Sequence, residues 1–361
     1  MELGNQNILF FTRTMGLGGT ENVILQLCEI LNLKVNNIIV CSCGGINVRE
    51  LELMGITHYT IPDIEKKNIC NIFKIMRTVR NILRKESITI VHSHHRMAAF
   101  YSNVLCSKNI IKVANVHNTF TNKKKLTKLA YTSTKIIAVG EQVKKNLIEF
   151  YEISEGQVTV ICNSVKKFTG LKLPIKKIEE QRSNILIGNI GRLSEQKGME
   201  YFIKAAAELY KKISGVRFYI IGAGENQDDL CKLAKEILPE GVLFFLGYRS
   251  DIQNVMSQLD FVVLSSLWEG FPLTPIESFS VGKTVVATAV DGTPEIVRHG
   301  YNGLLVESKN VYELCEAMKS LCENLEMRHK LEKNALKTYD REFSFEVFSK
   351  LYIDYYTNLI V

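Results

Sequence analysis

The chain has 361 residues, of which 46% are hydrophobic and 23% are charged. At roughly 150 residues per domain this length predicts two domains, and the composition excludes a disordered or low-complexity chain. The net charge is +7, but residues 1–170 carry net +10 and the remainder net −3, which predicts that the two halves meet different partners.

The first half alternates short apolar runs with longer amphipathic ones. The short runs, rich in β-branched residues, are predicted strands: 7–12, 37–41, 57–61, 88–92, 111–116, 135–139 and 158–162. The longer runs have helical periodicity: 20–31, 68–85, 97–106 and 141–150. Nearly continuous apolar strands separated by helices predict a parallel sheet covered on both faces. We assign residues 1–165 to this first domain.

The pattern breaks at residues 166–183, which contain Gly170, Pro174 and clustered charge, and which we predict to be a linker. The alternation then resumes in a second domain, residues 184–340. Its predicted strands are 184–190, 216–221, 242–246, 260–264 and 284–287. Its predicted helices are 198–212, 226–237, 250–258, 273–281, 310–323 and 326–340.

These elements predict an α/β protein of two doubly wound, Rossmann-like domains that face each other across a ligand-binding cleft. A last helix, residues 345–360, lies in a C-terminal segment, residues 341–361. We expect this segment to pack back toward the first domain.

A glycine-rich run, Gly16-Leu17-Gly18-Gly19, follows the first predicted strand and opens a helix. Glycines there let the backbone approach a ligand, and the helix offers free N–H groups. The run lacks the third glycine of a dinucleotide-binding fingerprint, and no Asp follows at 36–42 to bind a ribose. A tight strand-to-helix turn is an equally good interpretation.

Two further loops, both in the second half, carry charged residues. Arg192 and Lys197 lie five residues apart in a strand-to-helix turn, where they are either a phosphate-binding pair or solvated surface charges. Glu269 and Glu277 lie eight residues apart, on either side of a helix predicted to start near Leu273. Carboxylates bind vicinal hydroxyls and a helix N-terminus binds anions, so this loop suits a nucleotide sugar.

The order and spacing of these motifs resemble the retaining glycosyltransferases of the GT-B fold, most closely family 4, the "glycosyl transferases group 1". The matching runs are 191–198, 222–225, 245–248, 265–269, 269–277, 291–295 and 303–306. The resemblance spans essentially the whole chain. One departure is Asn163-Ser164 before the linker, where the family often has Asn-Gly. This position shapes the hinge between the domains, so the difference bears on hinge geometry more than on chemistry.

The resemblance implies roles for individual residues. Arg192 and Lys197 would hold the donor diphosphate and carry its leaving-group charge in place of a metal. Glu277 would bind the ribose, Glu269 the transferred sugar, and His117 would lie near that sugar. The remaining donor residues would be Gly18, Gly19, Gly222, Tyr248 (with Arg249 as its alternative against the base), Phe271, Leu273 and Thr274. His94 would lie on the acceptor side.

The implied activity is that of a hexosyltransferase-like enzyme. It would move a sugar from a nucleotide-diphosphate sugar, with a UDP-sugar as first choice, to a hydroxyl of a glycan or lipid-linked acceptor. Retention and a place in cell-surface polysaccharide or glycolipid synthesis come from the resemblance. No D-x-D occurs among the eight aspartates, so we expect no metal and no cofactor. The alternatives are a nucleotide-sugar epimerase or hydrolase of this fold and a non-catalytic nucleotide-sugar-binding partner.

A basic stretch, residues 66–85, contains seven Lys or Arg residues and no acidic residue. Its apolar residues form one stripe at helical spacing: Ile69, Ile72, Phe73, Met76, Val79 and Leu83. A second basic cluster comprises Lys123, Lys124, Lys125 and Lys128. The stretch is either the solvated face of a core helix or a docking surface for anionic lipid. No nucleic-acid-binding motif occurs, so nucleic acid is not an expected partner.

The sequence also predicts a location in the cell. No apolar run approaches the ~20 residues of a transmembrane helix, and the N-terminus lacks the segments of a secretion signal. The nine cysteines include no C-x-x-C pair, which argues against a zinc ribbon or a disulfide framework. We therefore expect a cytoplasmic protein with reduced thiols, peripheral on the inner face of the cell membrane if the basic stretch binds lipid.

Overall fold

The computed structural model describes residues 2–66, 68–181 and 183–360. The chain divides into two compact units. The N-terminal unit comprises Met1–Asn163 together with Phe348–Val361, and the C-terminal unit comprises Ser164–Val347. Lys67, which belongs to the predicted basic stretch, lies outside the described residues.

The N-terminal unit contains a parallel sheet of seven strands in the order β3-β2-β1-β4-β5-β6-β7. The strands are β1 (Asn7–Phe11), β2 (Asn37–Ser42), β3 (Thr57–Thr60), β4 (Ile90–Ser93), β5 (Ile111–Val116), β6 (Lys135–Ala138) and β7 (Val158–Val160). The helices are α1 (Gly19–Leu31), α2 (Val48–Leu53), α3 (Ile69–Lys85), α4 (Arg96–Leu105), α5 (Lys124–Tyr131) and α6 (Glu141–Glu149).

The C-terminal unit contains a parallel sheet of six strands in the order β10-β9-β8-β11-β12-β13. The strands are β8 (Ile185–Ile190), β9 (Val216–Ile221), β10 (Leu243–Gly247), β11 (Phe261–Leu264), β12 (Val285–Thr288) and β13 (Gly303–Val306). The helices are α7 (Lys176–Glu179), α8 (Met199–Lys212), α9 (Gln227–Ile237), α10 (Ile252–Gln258), α11 (Leu273–Ser280), α12 (Thr293–Ile296), α13 (Val311–Glu323) and α14 (Leu325–Thr338).

The last helix, α15 (Phe345–Ile360), begins in the C-terminal unit and runs into the N-terminal one. Its Tyr352 and Tyr356 are fully buried in the N-terminal unit, where they bond to polar side chains of the central strands. The centre of the N-terminal unit is therefore completed by residues from the other end of the chain.

Each sheet is buried on both faces because its strands are apolar along their whole length. Ile8, Leu9, Phe10 and Phe11 of β1 are all fully buried, as doubly covered parallel strands require. One helix layer of the N-terminal unit packs Ile75, Val79, Ile82 and Leu83 of α3 against the sheet. In the C-terminal unit, α8 and α13 pack against each other and bury Phe202 and Met318.

Side-chain caps start several of these helices. Asn68 Oδ1 accepts a hydrogen bond from the backbone N–H of Asn71 (2.8 Å) at α3, and Asn310 Oδ1 accepts from Glu313 N–H (3.0 Å) at α13. An N-terminal Asn of this kind stabilises a helix by about 1 kcal/mol. The predicted start points of these helices therefore agree with the structure to within a residue.

The predicted architecture of two doubly wound parallel units is confirmed. Strand β13 and helices α2, α5, α7 and α12 were not predicted. Part of the predicted linker packs within the C-terminal unit: the Leu173 and Ile175 N–H groups donate to Asn254 Oδ1 (3.0 Å) and Gln258 Oε1 (3.1 Å). Within the described ranges, no helix is both long and apolar enough to cross a membrane.

Candidate active site

In the C-terminal unit, glycines lock together the loops that leave the carboxyl ends of β8, β9 and β11. A Cβ at Gly222 would collide with the carbonyl group of Gly191, and one at Gly198 with that of Ser265. Both glycines have positive φ, +147° and +55°, which other residues rarely adopt. The loop after β8 is thus held against both of its neighbours, and this arrangement fixes the position of Lys197.

Lys197 and Glu269 form a buried ion pair between two of these loops. Lys197 Nζ donates to Glu269 Oε1 at 2.5 Å, and Ser266 Oγ donates to the same oxygen at 2.6 Å. The Glu269 residue is only 7% exposed, and its backbone N–H donates to Asp291 Oδ2 (2.7 Å). Breaking a buried pair by removing one partner is costly, so the two side chains function as one unit.

Glu277 lies on α11, a helix that begins at Leu273 as expected. Burial raises the pKa of Glu277 to about 7, although the nearby charge of Lys197 opposes the rise. A carboxyl group whose pKa is raised by burial beside a specific cation is typical of a functional site. The structure therefore brings together Lys197, Glu269 and Glu277, three of the residues predicted to contact the donor.

Arg192 is exposed, and within the described part of the chain it has no ion-pair partner. Its guanidinium group therefore remains available to an anion. Tyr248, predicted to contact the base, is 61% exposed. Its alternative, Arg249, donates from Nε and Nη2 to the two carboxylate oxygens of Asp251 (2.7 and 2.6 Å). This bidentate pair occupies one edge of the guanidinium group and disfavours Arg249 for that role.

The other predicted donor residues surround the start of α11. Phe271 is buried and its ring lies 6.1 Å from that of Phe343, so Phe271 contributes to packing. Thr274 is buried and Leu273 is half-buried, in the first turn of the helix. Backbone N–H groups in a first helical turn have no partner within the helix.

In the N-terminal unit, three histidine rings lie against one another at the carboxyl ends of β4 and β5. The rings of His92 and His94 lie 4.5 Å apart, and those of His94 and His117 lie 5.5 Å apart. A hydrogen bond joins His94 Nδ1 and His117 Nε2 (3.3 Å). Burial lowers the pKa of His92 to about 3 and that of His117 to about 4, and it lowers the pKa of His94 as well. All three rings are therefore neutral at pH 7.

A chain of hydrogen bonds anchors His92 to the last helix. His92 Nε2 lies 2.8 Å from Asn115 Oδ1, and His92 Nδ1 lies 2.6 Å from the Tyr356 hydroxyl. Because Asn115 Oδ1 can only accept, His92 Nε2 carries the proton, and the Tyr356 hydroxyl donates to Nδ1. Asn115 Nδ2 in turn donates to the Tyr352 hydroxyl (2.8 Å).

The glycine-rich run lies at the start of α1, where Gly19 is the first helical residue and Gly18 precedes it. A Cβ at Gly18 would meet the carboxylate of Glu21, which accepts a hydrogen bond from Thr14 Oγ1 (2.6 Å). A carboxylate already lies at this helix N-terminus, where it interacts favourably with the dipole. The run ends a connection of seven residues between β1 and α1, and its role in donor binding stays a prediction.

Some residues of this site were not predicted. Ser266 and Asp291 hold Glu269, and the sequence indicates them only as members of the matching runs 265–269 and 291–295. Asp291 has a positive φ of +41°, a strained conformation of the kind found at functional sites. Tyr352 and Tyr356 carried no signal, since a buried aromatic stripe on a helix is typical of any core.

The basic surfaces also differ from expectation. Ile69 and Phe73, predicted to belong to the buried stripe of α3, are 85% and 67% exposed. Around the helix they lie at the edge of the stripe, toward its cationic side. In the second cluster, Lys124 and Lys128 both donate to Glu152 (2.6 and 2.7 Å), so that cluster is partly neutralised.

Two family models match the chain, one in each unit. Residues 17–166 match the model described as Glycosyltransferase Family 4, and residues 174–338 match the one described as Glycosyl transferases group 1. Together the matched ranges include the carboxyl ends of both sheets, where the candidate residues lie.

Curated relatives cover most of the chain at low identity. The UDP-Gal:alpha-D-GlcNAc-diphosphoundecaprenol alpha-1,3-galactosyltransferase of Escherichia coli is 26% identical over 329 residues, which are 84% of each chain. The N,N'-diacetylbacillosaminyl-diphospho-undecaprenol alpha-1,3-N-acetylgalactosaminyltransferase of Campylobacter jejuni is 30% identical over 212 residues, which are 55% of each chain.

Solved structures share the fold. A glycosyltransferase from Rickettsia africae, 21% identical, aligns with a TM-score of 0.85 over 99% of both chains. Anabaena HepE in complex with UDP, 20% identical, aligns with a TM-score of 0.82 over 97% of this chain and 99% of that one. The likeness includes both parallel sheets described above.

Proposed function

We propose that this chain, a glycosyltransferase of the GT-B fold with a family 4 domain followed by a group 1 domain, uses a UDP-sugar and a lipid-linked acceptor. It transfers the sugar to an acceptor hydroxyl with retention of the anomeric configuration. The observation that carries the proposal is the joint placement of Lys197, Glu269 and Glu277 at the carboxyl edge of one sheet.

Each of these groups suits one part of the donor. Negative charge grows on the nucleotide diphosphate as the bond to the anomeric carbon breaks, and Lys197 with Arg192 would stabilise it. Glu277, as a carboxylate, would accept hydrogen bonds from the ribose hydroxyls, and Glu269 from the transferred sugar. Two cations neutralise the leaving group in this proposal, so the transfer needs no divalent ion.

Three residues of the N-terminal unit, His117, Gly18 and Gly19, would also contact the donor. His117 is half-buried and neutral, so it can exchange a hydrogen bond with a sugar hydroxyl without carrying charge. Gly18 and Gly19, at the start of α1, would approach the donor phosphates or the acceptor through the backbone.

The proposed acceptor class is a sugar joined to a lipid through a diphosphate. The names of the relatives in Escherichia coli and Campylobacter jejuni both specify diphospho-undecaprenol-linked acceptors. This chain is 26% and 30% identical to these two relatives. Residues 1–170 carry net +10, which suits an acceptor that carries phosphate. A membrane-borne acceptor places the reaction in cell-surface polysaccharide or glycolipid synthesis.

We propose further that α3 docks on an anionic membrane. Its exposed side contains four cations that have no ion-pair partner among the described residues: Lys74, Arg77, Arg80 and Arg84. We call this side, together with the exposed Ile69 and Phe73, the cationic face of α3. A helix that presents basic and large apolar residues on one exposed side suits the interface of a bilayer. The protein would then be peripheral on the cytoplasmic side of the membrane.

Donor binding can be measured with the chain's own fluorophore. Trp268 is the single tryptophan, 47% exposed and adjacent to Glu269. Titration with UDP, GDP and ADP should change its emission with the preferred nucleotide alone. That nucleotide's sugars should also stabilise the protein by about 2.7 kcal/mol at 100 times the dissociation constant.

Product analysis then tests the reaction class. Incubation with the preferred UDP-sugar and a sugar-diphosphate-lipid acceptor should give a glycosylated lipid whose new linkage keeps the donor's anomeric configuration by NMR. Isomerised or free sugar formed equally fast without acceptor would instead indicate an epimerase or a hydrolase. Binding of the donor without any product would indicate a non-catalytic binding protein.

A further inference from the structure

A cavity of about 450 Å³ lies within the N-terminal unit. It opens at the carboxyl ends of β4 and β5, next to β1, where the strand order of the sheet reverses. Ligands of doubly wound sheets bind at this reversal point. Its lining includes the polar residues Glu65, His94, Arg96, His117 and Lys123.

Arg96 is held so that one edge of its guanidinium group stays free. Its Nη1 donates to Asn122 Oδ1 (3.1 Å) and to Thr127 Oγ1 (3.2 Å), and the group lies 5.5 Å from the centre of the Phe120 ring. Nε and Nη2 of Arg96 have no hydrogen-bond partner among the residues that the structure describes. An Nε–Nη2 edge is the fork that binds two oxygens of a phosphate.

The charge balance of the cavity is positive. Lys123 is exposed and has no ion-pair partner in the described part of the chain. The carboxylate of Glu65 is already engaged, since Arg13 Nη1 lies 2.6 Å from one of its oxygens and His95 Nε2 lies 3.5 Å from the other. Arg96 and Lys123 are therefore two cations whose charge no nearby carboxylate neutralises.

His94 adds a buried polar atom that lacks a partner. The residue is 3% exposed and lines the cavity, and its Nδ1 is bonded to His117. Its Nε2 has no hydrogen-bond partner within the described residues. A buried ring nitrogen without a partner costs about 1–3 kcal/mol, and a ligand oxygen in the cavity would remove that cost.

We propose that this cavity binds a phosphate group of the acceptor, in the diphosphate ester that joins its sugar to its lipid. Arg96 and Lys123 bind the phosphate oxygens, and the neutral His94 donates from Nε2. The inference rests on the proposed function, because it assigns the acceptor of that reaction to named residues. It requires that Arg96, Lys123 and His94 bind the phosphate of the acceptor. The phosphates of the donor must be bound by other residues.

Two variants remove the cations without disturbing the backbone. Lys123 has a φ of +53°, which Asn adopts more readily than most residues, so Lys123→Asn should fold normally. Arg96→Gln removes the guanidinium fork. Lys125→Gln is the control, since Lys125 is an exposed lysine two residues after Lys123 that does not line the cavity.

The assay compares two acceptors that carry the same sugar: a short prenyl diphosphate sugar and an alkyl glycoside without phosphate. Each cation variant should raise KM for the diphosphate acceptor about tenfold to hundredfold, the loss expected for one charge-assisted hydrogen bond. KM for the alkyl glycoside, and the affinity for UDP read from Trp268 fluorescence, should not change. Inorganic pyrophosphate should compete with the diphosphate acceptor in the parent protein.

The opposite results would overturn the inference. Equal rises of KM for both acceptors would show that the cations position the sugar or the fold. Weaker UDP binding in Lys123→Asn would assign the phosphate to the donor. In either case transfer by the parent protein would leave the proposed function intact, whereas the absence of transfer to both acceptors would refute that function itself.

Discussion

Replacing Glu277 with Gln should make the protein more stable and its donor binding weaker. Burial raises the pKa of Glu277 to about 7 from an ordinary value of 4.5. The folded protein therefore keeps a proton that the unfolded chain releases between these two values. The stability that the protonated Glu277 contributes is fully present below pH 4.5. It is lost as the pH rises through 7, because the folded state then has to hold a buried charge.

The size of the effect follows from the pKa difference. At about 1.4 kcal/mol for each pH unit, the ionised carboxylate lowers the free energy of unfolding by about 3 kcal/mol at pH 8. At pH 5 the loss is below about 1 kcal/mol, since the unfolded carboxyl group is then only partly ionised. Gln cannot ionise, so Glu277→Gln should gain about 2–3 kcal/mol at pH 8 and little at pH 5.

Urea unfolding followed by Trp268 fluorescence tests this directly. Trp268 lies in the same unit as Glu277, so its emission reports the unfolding of that unit. Glu200→Gln is the matched control, because Glu200 lies on the surface and pairs with Lys204 (3.0 Å); such a pair is worth less than about 1 kcal/mol.

Donor affinity supplies the second half of the test. Loss of the carboxylate should weaken UDP binding about tenfold or more, since it removes charge-assisted bonds to the ribose. Equal stability of Glu277→Gln and the parent at pH 8, or a gain that does not depend on pH, would refute the assignment of a buried carboxylate. Unchanged UDP affinity would refute its proposed role.

Four further predictions follow from the same structure. Arg192→Ala and Lys197→Ala should each reduce turnover about 10²-fold to 10³-fold, measured as UDP release. The control Lys204→Ala should leave turnover unchanged. Turnover should survive EDTA; loss restored only by Mg²⁺ or Mn²⁺ would show that a metal carries the leaving-group charge. Replacing the four cations of the cationic face of α3 with Gln should weaken binding to anionic vesicles by up to about 4 kcal/mol, measured by co-sedimentation. That binding should weaken with salt, and equal binding to neutral vesicles would refute the docking. Tyr356→Phe should lower the free energy of unfolding by about 1–3 kcal/mol, read by circular dichroism, because His92 Nδ1 loses its donor.

The sequence predicted the elements that have strong periodicity and missed those that do not. Seven apolar runs became the seven strands of the first sheet. Strand β13 begins with Gly303, a residue that is depleted in strands and weakens a strand pattern. Helix α5 starts after Lys123, which itself has a left-handed backbone conformation. The lysines of this helix obscure the apolar pattern to which the buried Ala130 and Tyr131 belong.

Contacts within the site depend on pairs that are remote in sequence. Lys197 and Glu269 meet across 72 residues because β8 and β11 are neighbours in the sheet, and no local pattern encodes that. Burial of Glu277, which raises its pKa, is equally a property of the folded unit. Local reasoning could name the residue types and their loops, while the strand order decided which of them meet.

The return of α15 to the N-terminal unit affects how the protein is made. At about 5–20 residues per second, a ribosome needs roughly 10–40 s to go from the last strand of that unit to Tyr356. During this interval the buried polar groups of His92 and Asn115 lack their tyrosine partners. The N-terminal unit is therefore completed only after nearly the whole chain has been synthesised, although its sheet is encoded by the first half.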